Sequence, residues 1–474
     1  MQFSTNPNRN IMIKKIFERL VLISIIVFNI ACEKQQDFDS KAKIKGLTIK
    51  ASDSPTVRTS FDGSKTQWSN DDRLNVHISG GDYETPQSKI FTLSDSEQAE
   101  FTNPDVELST GTEYNFHAIY PSSAAIDSST KSVSLNIGAS TQTQDGTLPT
   151  AHIAVLDPLY GHCTATPEAV SIPMKHTAAL FKLNIQNATE NEITVKSVEM
   201  TAPTGVAIAG THTVNLETGA ITPSATDGET SRTIVLTLNT PATIAQNGNF
   251  TAWIAAAPFV IAKGGSLLFT ITDNNDNQYD IIKSFADGHT FASGKIASTT
   301  LETNAENKVT TGQEKVVTLD FTVAGNLSPS SSSETPVTDL LYKSGIYISY
   351  IHATNKCYYD TEYGAGLLLN VIKDDNFATI TLPQLSGYKI KKITFNNARN
   401  EQINATIELY NNDNRCRIVE VDDPKKGYSV NIVKREVSFS KIVGITDDSQ
   451  YYIKFIAANN VHHIKSWVIT YQRM

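Results

Sequence analysis

The strongest constraint on the fold is an alternation of apolar and polar residues that recurs along most of the chain. Leu47–Ala51, Leu74–Ile78 and Val133–Ile137 all alternate in this way, and a repeat of two residues is typical of strands that bury one face. Turn-forming segments such as Asp62-Gly63 and Ser79–Asp82 separate these segments. No convincing helical period extends over about 12 residues or more. This pattern predicts an all-β chain built from antiparallel β-sandwiches.

Charge and composition exclude several classes of protein. The chain has 474 residues, with 40 Lys and Arg against 49 Asp and Glu, so its formal net charge is -9. A nucleic-acid-binding protein is expected to carry a basic surface, which this balance argues against. Hydrophobic residues make up 40% of the chain, too many for a chain that is disordered throughout. Four cysteines are too few for a fold built on disulfides.

The first 32 residues resemble a bacterial export signal. Basic residues precede a mostly apolar segment, Leu20–Phe28, which is too short to cross a bilayer as a helix of about 20 residues. Ala31 directly before Cys32 resembles a lipobox, in which the cysteine becomes the lipidated N-terminus, for example with palmitate. We therefore expect residues 1–32 to be a signal peptide and Cys32 to anchor the protein to a membrane. The alternative is an ordinary secretory signal with a chance cysteine.

Shifts in composition divide the remaining chain into three predicted domains. The turn-rich segment Thr164–Glu168 and the polar segment Glu302–Glu314 are the expected boundaries. We predict two tandem antiparallel β-sandwiches, at 33–165 and 166–305. A third β-sandwich, similar to a jelly roll, is expected at 313–474.

Four segments, taken in order, carry a resemblance to a known family. The pattern R-x-x-F…W-x-x-x-D-x-I-x-V matches Arg58–Val76, with Leu74 at the Ile position. The other three patterns are Y-x-A-x-Y-P at Phe116–Pro121, F-x-H-x-x-A at Met174–Ala179, and F-x-x-G-K at Phe291–Lys295. Together they resemble the fimbrillin-like surface lipoproteins of Bacteroidales, over about residues 46–302.

The resemblance implies a fimbrial subunit or adhesion protein that is lipid-anchored at the outer membrane. In polymerising members an arginine-specific protease removes the first strand, and a strand of a neighbouring subunit fills the groove. In this chain the strand would be Leu47–Ala51 and the cut would follow Arg58. The alternative is that Arg58 is an ordinary strand residue of the R-x-x-F motif. The implied partners are other fimbrial subunits, or surface glycans and proteins.

The third domain has its own expectations. Because its last segment has the pattern of a closing strand, we expect an accessory, tip or anchor subunit and not a shaft subunit. Its resemblance to galactose-binding-like jelly rolls suggests a glycan site. The candidate contacts are Tyr358, Tyr359, Asn355 and Asp360, and the alternative is ordinary core and loop. A glycan-binding surface lipoprotein that never polymerises is therefore the competing hypothesis.

Sequence motifs give no support for an enzyme, a metal or a cofactor. The motifs H-E-x-x-H, G-x-S-x-G, G-x-x-x-x-G-K and C-x-x-C are absent. The acidic run Asp273–Asp280 lacks the Gly and Glu of a calcium-binding loop and is predicted to form a hairpin turn. Cys357 and Cys416 could form a disulfide, which the sequence alone does not decide.

Overall fold

A computed structural model describes most of the chain after the first 41 residues. The described residues are 42–52, 60–61, 66–309, 314–345, 347–362, 365–370, 376–397, 406–411, 414–420, 429–431, 436–443, 445, 447–456 and 462–474. Their regular structure is β except for the helix α1 (Ile153–Leu156) and a 3-10 turn at Ala324–Asn326. The prediction of an all-β fold is therefore confirmed.

The strands are numbered in chain order. The first thirteen are β1 Lys43–Ser52, β2 Ser60–Phe61, β3 Thr66–Gln67, β4 Arg73–Gly80, β5 Tyr83–Asp95, β6 Glu100–Ser109, β7 Tyr114–Tyr120, β8 Ile126–Asp127, β9 Ser132–Ile137, β10 Thr141–Gln144, β11 Leu159–Ala165, β12 Val170–Pro173 and β13 Lys175–His176. The next twelve are β14 Ala179–Asn187, β15 Ile193–Thr201, β16 Ala209–Asn215, β17 Ile221–Pro223, β18 Thr230–Ser231, β19 Thr233–Ile244, β20 Asn249–Ala256, β21 Phe259–Ile261, β22 Ser266–Asp273, β23 Gln278–Ser284, β24 His289–Phe291 and β25 Ile296–Thr303. The last thirteen are β26 Glu314–Asp320, β27 Leu327–Ser328, β28 Val337–Ser344, β29 Tyr347–Asp360, β30 Gly366–Asn370, β31 Phe377–Thr381, β32 Tyr388–Asn397, β33 Thr406–Asn411, β34 Asn414–Glu420, β35 Ser429–Asn431, β36 Glu436–Val443, β37 Tyr451–Ile456 and β38 His462–Arg473.

The N-terminal lobe is built on an eight-stranded sheet with the order β12-β1-β6-β5-β4-β7-β11-β13. Its core is apolar and includes the fully buried residues Phe91, Phe101 and Phe116. Trp68 covers this core, with its ring centroid 4.9 Å from that of Phe101 and 5.6 Å from that of Tyr120. Edge-to-face contacts of this kind add to the stabilisation from buried area.

The middle lobe is a sandwich of a five-stranded sheet, β10-β19-β15-β22-β23, and a three-stranded sheet, β20-β14-β25. Phe181, Leu236 and Phe269 lie in the core between them. A smaller sheet, β17-β16-β9-β8, and the short pair β21-β24 complete the lobe.

The predicted boundary at residues 165/166 does not separate these two lobes. Strands β8, β9 and β10 precede it, yet β9 pairs with β16 and β10 with β19 of the middle lobe, and β8 extends the same sheet by pairing with β9. Strands β12 and β13 follow it, yet they pair with β1 and β11 of the N-terminal lobe. The turn residues at 164–169 therefore mark a connection within the N-terminal lobe. The chain crosses between the two lobes three times, after β7, β10 and β13, which local composition does not reveal.

The C-terminal lobe is a single hydrogen-bonded set of thirteen strands, β26 to β38. Strand β30 pairs with both β29 and β38, so the ladder closes on itself around one core. Trp467 and Phe321 are fully buried in that core, with ring centroids 6.3 Å apart. The predicted antiparallel β architecture is present, beginning at Glu314.

Candidate strand-exchange site

The first strand of the chain is held on both sides. Strand β1 pairs antiparallel with β6, where Ile49 lies opposite Phe101, and parallel with β12, where Ile49 lies opposite Val170. It is one strand in from the edge of its sheet, because the short β12 covers part of its outer side. Strand β6 pairs with β1 from Lys43 to Lys50 and β12 pairs with it from Ile49 to Ser52, so both edges of β1 are paired at Ile49 and Lys50.

One face of β1 is part of the core of the N-terminal lobe. Leu47, Ile49 and Ala51 are at most 5% exposed, whereas the alternate residues Thr48 and Lys50 are exposed. The predicted alternation of this strand is thus confirmed. Loss of β1 would uncover an apolar groove between β6 and β12, lined by Phe101, Val106, Leu108, Val170 and Ile172.

The two proposed processing residues lie outside the described residues. Arg58 falls between Ser52, where β1 ends, and Ser60, where β2 begins. Cys32 precedes the first described residue. The proposed cut would therefore separate β1 from the strands with which it pairs.

Two of the sequence motifs meet at the junction of the N-terminal and middle lobes. His176 Nδ1 lies 2.5 Å from Asp157 Oδ2, and both side chains are less than 10% exposed. Asp157 Oδ1 also accepts hydrogen bonds from the backbone N–H groups of Thr177 and Ala178, at 3.1 and 2.8 Å. Gly294 donates its N–H to the Ala178 carbonyl at 2.8 Å. The histidine is therefore a structural residue that holds this junction together.

Gly294 of the F-x-x-G-K segment has a positive φ. Its φ is +69°, in the left-handed region that glycine adopts at low cost. A Cβ at this position would lie 3.5 Å from His176 Cβ. The F-x-x-G-K segment thus turns against the histidine segment, immediately before β25.

In the described part of the chain, the final strand, β38, pairs with strands of the C-terminal lobe. Strand β38 pairs with β32 along one side and with β26 and β30 along the other. Trp467, Ile469 and Tyr471 are buried. As folded, β38 has no edge or apolar face available to another subunit.

The end of β38 also joins the C-terminal lobe to the middle lobe. Asp280 of β23 is completely buried, and Arg473 lies against it with Nε 3.1 Å from Oδ2. Tyr388 donates its hydroxyl to Asp280 Oδ2 at 2.5 Å, and Thr270 donates to Oδ1 at 2.7 Å. Burial, followed by the nearby Asp280 charge, raises the pKa of Tyr388, so its hydroxyl remains a donor.

A second buried carboxylate joins the same two lobes. Asp448 of the C-terminal lobe accepts hydrogen bonds from Thr204 Oγ1 at 2.6 Å and from Arg232 at 2.8 Å. It also accepts the backbone N–H of Gly387 at 2.5 Å. Burial alone would raise the pKa of Asp448, but these hydrogen bonds and the Arg232 charge outweigh it and hold the pKa below its usual range.

The four candidate glycan contacts all lie on β29, but their side chains differ in burial and in their hydrogen-bond partners. Tyr359 is half-buried and donates its hydroxyl to the Thr322 carbonyl at 2.9 Å. Asp360 is buried, with Oδ2 3.4 Å from His463 Nε2. Tyr358 and Asn355 are partly exposed. Adjacent strand residues face opposite sides, so Tyr358 and Tyr359 do not form one stacking surface.

The cysteines are placed as follows. Cys357 is fully buried, which raises the pKa of its thiol to about 12. Cys416 belongs to β34, and its side chain lies outside the described residues. A disulfide between them therefore stays a prediction. Burial raises the pKa of the Cys163 thiol to about 11.

Sequence reasoning missed the carboxylates that join the lobes. Asp157, Asp280 and Asp448 lie in polar segments without a motif, and their partners are between 10 and 244 residues away. Asp280 ends the acidic run Asp273–Asp280, which does form the predicted hairpin turn between β22 and β23. The alternation of Tyr279, Ile281 and Lys283 along β23 could have indicated that Asp280 faces a different surface.

The chain belongs to the fimbrillin-like family. The family model matches residues 58–325, which begins after β1, covers the rest of the N-terminal lobe and the middle lobe, and reaches the start of the C-terminal lobe. This agrees with the resemblance carried by the four motifs.

Several solved structures align with about half of the chain. One, from Bacteroides uniformis and assigned to cell adhesion, is 14% identical, with a TM-score of 0.38, 56% of this chain covered and 95% of that chain. Another of the same description, from Bacteroides ovatus, is 16% identical, with a TM-score of 0.39, 56% of this chain covered and 94% of that chain. A fimbrial protein, also from Bacteroides ovatus, is 10% identical, with a TM-score of 0.27, 56% of this chain covered and 51% of that chain.

Among curated proteins, none matches this chain. In the part of the chain that the structure describes, no helix has the length and apolar character needed to cross a membrane.

Proposed function

We propose that this chain is an accessory, tip or anchor subunit of a fimbrium, or a related surface adhesion protein, and that Cys32 anchors it by lipid to the outer membrane. After cleavage following Arg58, β1 leaves and an extended strand of a neighbouring subunit takes its place. The observation that carries this proposal is β1 itself. It is a separable N-terminal strand that fills an apolar groove and pairs on both sides.

The physical basis is strand complementation. A vacated groove exposes apolar side chains together with unpaired backbone groups on β6 and β12, and such an edge is a template for another strand. The incoming strand would need apolar residues at the positions of Leu47, Ile49 and Ala51, because these are the buried ones.

The pairing of the strand β38 supports the proposed accessory role. Because β38 is paired on both sides and buries Trp467, it is not a donor strand in this fold. The C-terminal lobe is also joined to the middle lobe through Asp280 and Asp448. A subunit whose C-terminal lobe is held in place in this way suits a position at the end of a fimbrium better than a repeated position in its shaft.

A rebinding experiment tests the acceptor groove. We expect a variant lacking residues 1–58 to bind a synthetic peptide of residues 43–52, measured by isothermal titration calorimetry. A peptide with Ile49→Asp should bind at least about tenfold more weakly, because a carboxylate would enter the core.

A matched peptide provides the control. Thr48 is exposed, so Thr48→Asp should leave the affinity within about twofold. Equal weakening by both substitutions would show that the peptide does not re-enter its groove, and would count against the strand-exchange proposal.

A further inference from the structure

The sandwich of the middle lobe has two lateral seams, where an edge strand of one sheet faces an edge strand of the other. At one seam β10 of the five-stranded sheet faces β20 of the three-stranded sheet. At the other seam β23 faces β25. The two seams are closed to very different degrees, although they belong to the same core.

Glutamine side chains close the first seam. Gln142 donates to the Ala255 carbonyl at 2.6 Å and accepts the Ala255 N–H at 3.1 Å. Gln144 donates to the Thr251 carbonyl at 3.0 Å and accepts the Trp253 N–H at 2.8 Å. These buried amides stand in for a neighbouring strand, so the free edge of β20 is satisfied along its length.

At the second seam, glutamine side chains do not bond to the outer backbone groups in the first half of β25, in the part of the chain that the structure describes. Strand β25 runs parallel to β14, and hydrogen bonds from Leu180 N to Lys295 O and from Ala188 N to Thr303 O fix which residues bond to β14. The alternate residues Ile296, Ser298 and Thr300 therefore direct their N–H and C=O groups away from β14. Among the described residues, none hydrogen-bonds to these outward groups. Further along, Asn307 caps the Glu302 carbonyl at 3.0 Å.

An apolar groove lies beside this edge. It has a volume of about 560 Å³, and Phe181, Phe269, Phe285 and Phe291 contribute to its lining. The core-facing residues of β25 here are small, Ala297 and Thr299, and Phe285 is partly exposed at the groove, whereas Phe181 and Phe269 lie buried beneath it at 2% and 1% exposed. Ile296 is 47% exposed at the margin. A second depression of about 600 Å³ continues along the same seam past Ile282 and Thr300, so the groove is elongated.

One cation is placed on the apolar side of this groove. Lys283 follows Tyr279 and Ile281 on the face of β23 that packs into the middle-lobe core, opposite Leu267. Its side chain lines the groove. Among the described residues, it has no carboxylate partner. An acidic group that entered the groove would meet this ammonium in a partly desolvated setting, where a charged hydrogen bond is strong.

We propose that this second seam, formed by β25 and the groove lined by Phe181, Phe285 and Lys283, is a docking site for an extended strand of another protein. The incoming strand pairs with Ile296, Ser298 and Thr300, places apolar side chains against the partly exposed Phe285, and carries one aspartate or glutamate toward Lys283. The elongated groove and the unpaired edge favour a strand over a compact ligand. The site lies in a different lobe from the β1 groove and does not require cleavage after Arg58.

Two labelled peptides test the proposal on the uncleaved chain. Each is an eight-residue strand, the length of β25, in which leucine alternates with threonine. One central leucine is replaced by aspartate in the first peptide and by lysine in the second. Fluorescence anisotropy should give at least about tenfold tighter binding of the aspartate peptide. Lys283→Glu should reverse the preference.

Backbone pairing is tested by substitutions at Ser298. Ser298→Pro removes an outward N–H and leaves the hydrogen bonds between β25 and β14 in place. It should lower the affinity for the aspartate peptide at least about tenfold. Ser298→Ala keeps the N–H and should leave binding within about twofold. If Ser298→Pro does not fold, slower hydrogen exchange at the Ser298 and Thr300 amides of the wild type with peptide bound supplies the same test.

Several results would overturn the proposal. Equal binding of the two peptides, or binding that persists in Ser298→Pro, contradicts the assigned geometry. Binding of dodecanoate without binding of either peptide would assign the groove to a small amphiphile. A dimer of the wild type that Ser298→Pro abolishes would assign the edge to a second copy of this chain. None of these results bears on the β1 groove, which the rebinding experiment tests separately.

Discussion

Asp280→Ala is expected to lower the free energy of unfolding of the C-terminal lobe by about 3 kcal/mol. The carboxylate is completely buried and is contacted by Arg473, Tyr388 and Thr270. Without it, the Tyr388 hydroxyl loses its buried acceptor and the Arg473 guanidinium loses its counter-ion. Because Arg473 is about a third exposed, water compensates part of the loss. Urea denaturation followed by hydrogen exchange in β26 and β38 measures the effect.

An exposed ion pair on the middle lobe, which also carries Asp280, supplies the control. Asp276 pairs with Lys196 on the surface and is 81% exposed. Asp276→Ala should change the free energy of unfolding by no more than about 0.5 kcal/mol. If Asp280→Ala and Asp276→Ala have the same free energy of unfolding, the contacts of Asp280 do not stabilise the junction between the middle and C-terminal lobes.

The free energy of unfolding is expected to fall by about 2 kcal/mol between pH 7 and pH 5 because of His117 alone. This imidazole is 3% exposed, and burial lowers its pKa from 6.5 to about 4. Among its neighbours, Glu217 raises the pKa, while His162, Lys131 and His77 lower it. The folded state keeps the ring neutral, whereas the unfolded state takes up a proton below about pH 6.5. Stability is therefore complete above pH 6.5 and is lost as the pH falls toward 4.

Denaturant titrations at several pH values measure this loss. His117→Gln should flatten the dependence by about the same 2 kcal/mol over that range, while the shifted His77 and His212 still contribute. The exposed His289 is the matched control, and His289→Gln should leave the slope as in the wild type. An unchanged slope in His117→Gln would contradict the assignment.

Local patterning predicted the parts of this fold that depend on neighbouring residues in the chain. The alternation of Leu47–Ala51 identified a strand buried on one face, and the acidic run Asp273–Asp280 formed a turn. The glycine of the F-x-x-G-K pattern, Gly294, adopts a positive φ in the turn before the last strand of the middle lobe. Each of these depends on side-chain period or backbone conformation, which a short sequence window contains.

Long-range pairing could not be predicted in the same way. The boundary at 165/166 was wrong because β8 to β10 cross to the middle lobe, and a pairing partner leaves no trace in local composition. Gln142 and Gln144 look like ordinary polar strand residues until Ala255 and Trp253 are placed beside them. The seam between β23 and β25 is visible only once both sheets are assembled.

Treatment with an arginine-specific protease is the most direct test of the central claim, that β1 is a removable strand whose groove accepts a strand of another subunit. The mature protein is incubated with the protease, and its mass and oligomeric state are followed by mass spectrometry and light scattering. We predict a cut after Arg58, release of the segment that contains β1, and formation of oligomers. Arg58→Gln should remain intact and monomeric. Absence of any cut before Arg73, or a cleaved protein that retains β1 and stays monomeric, would contradict the claim.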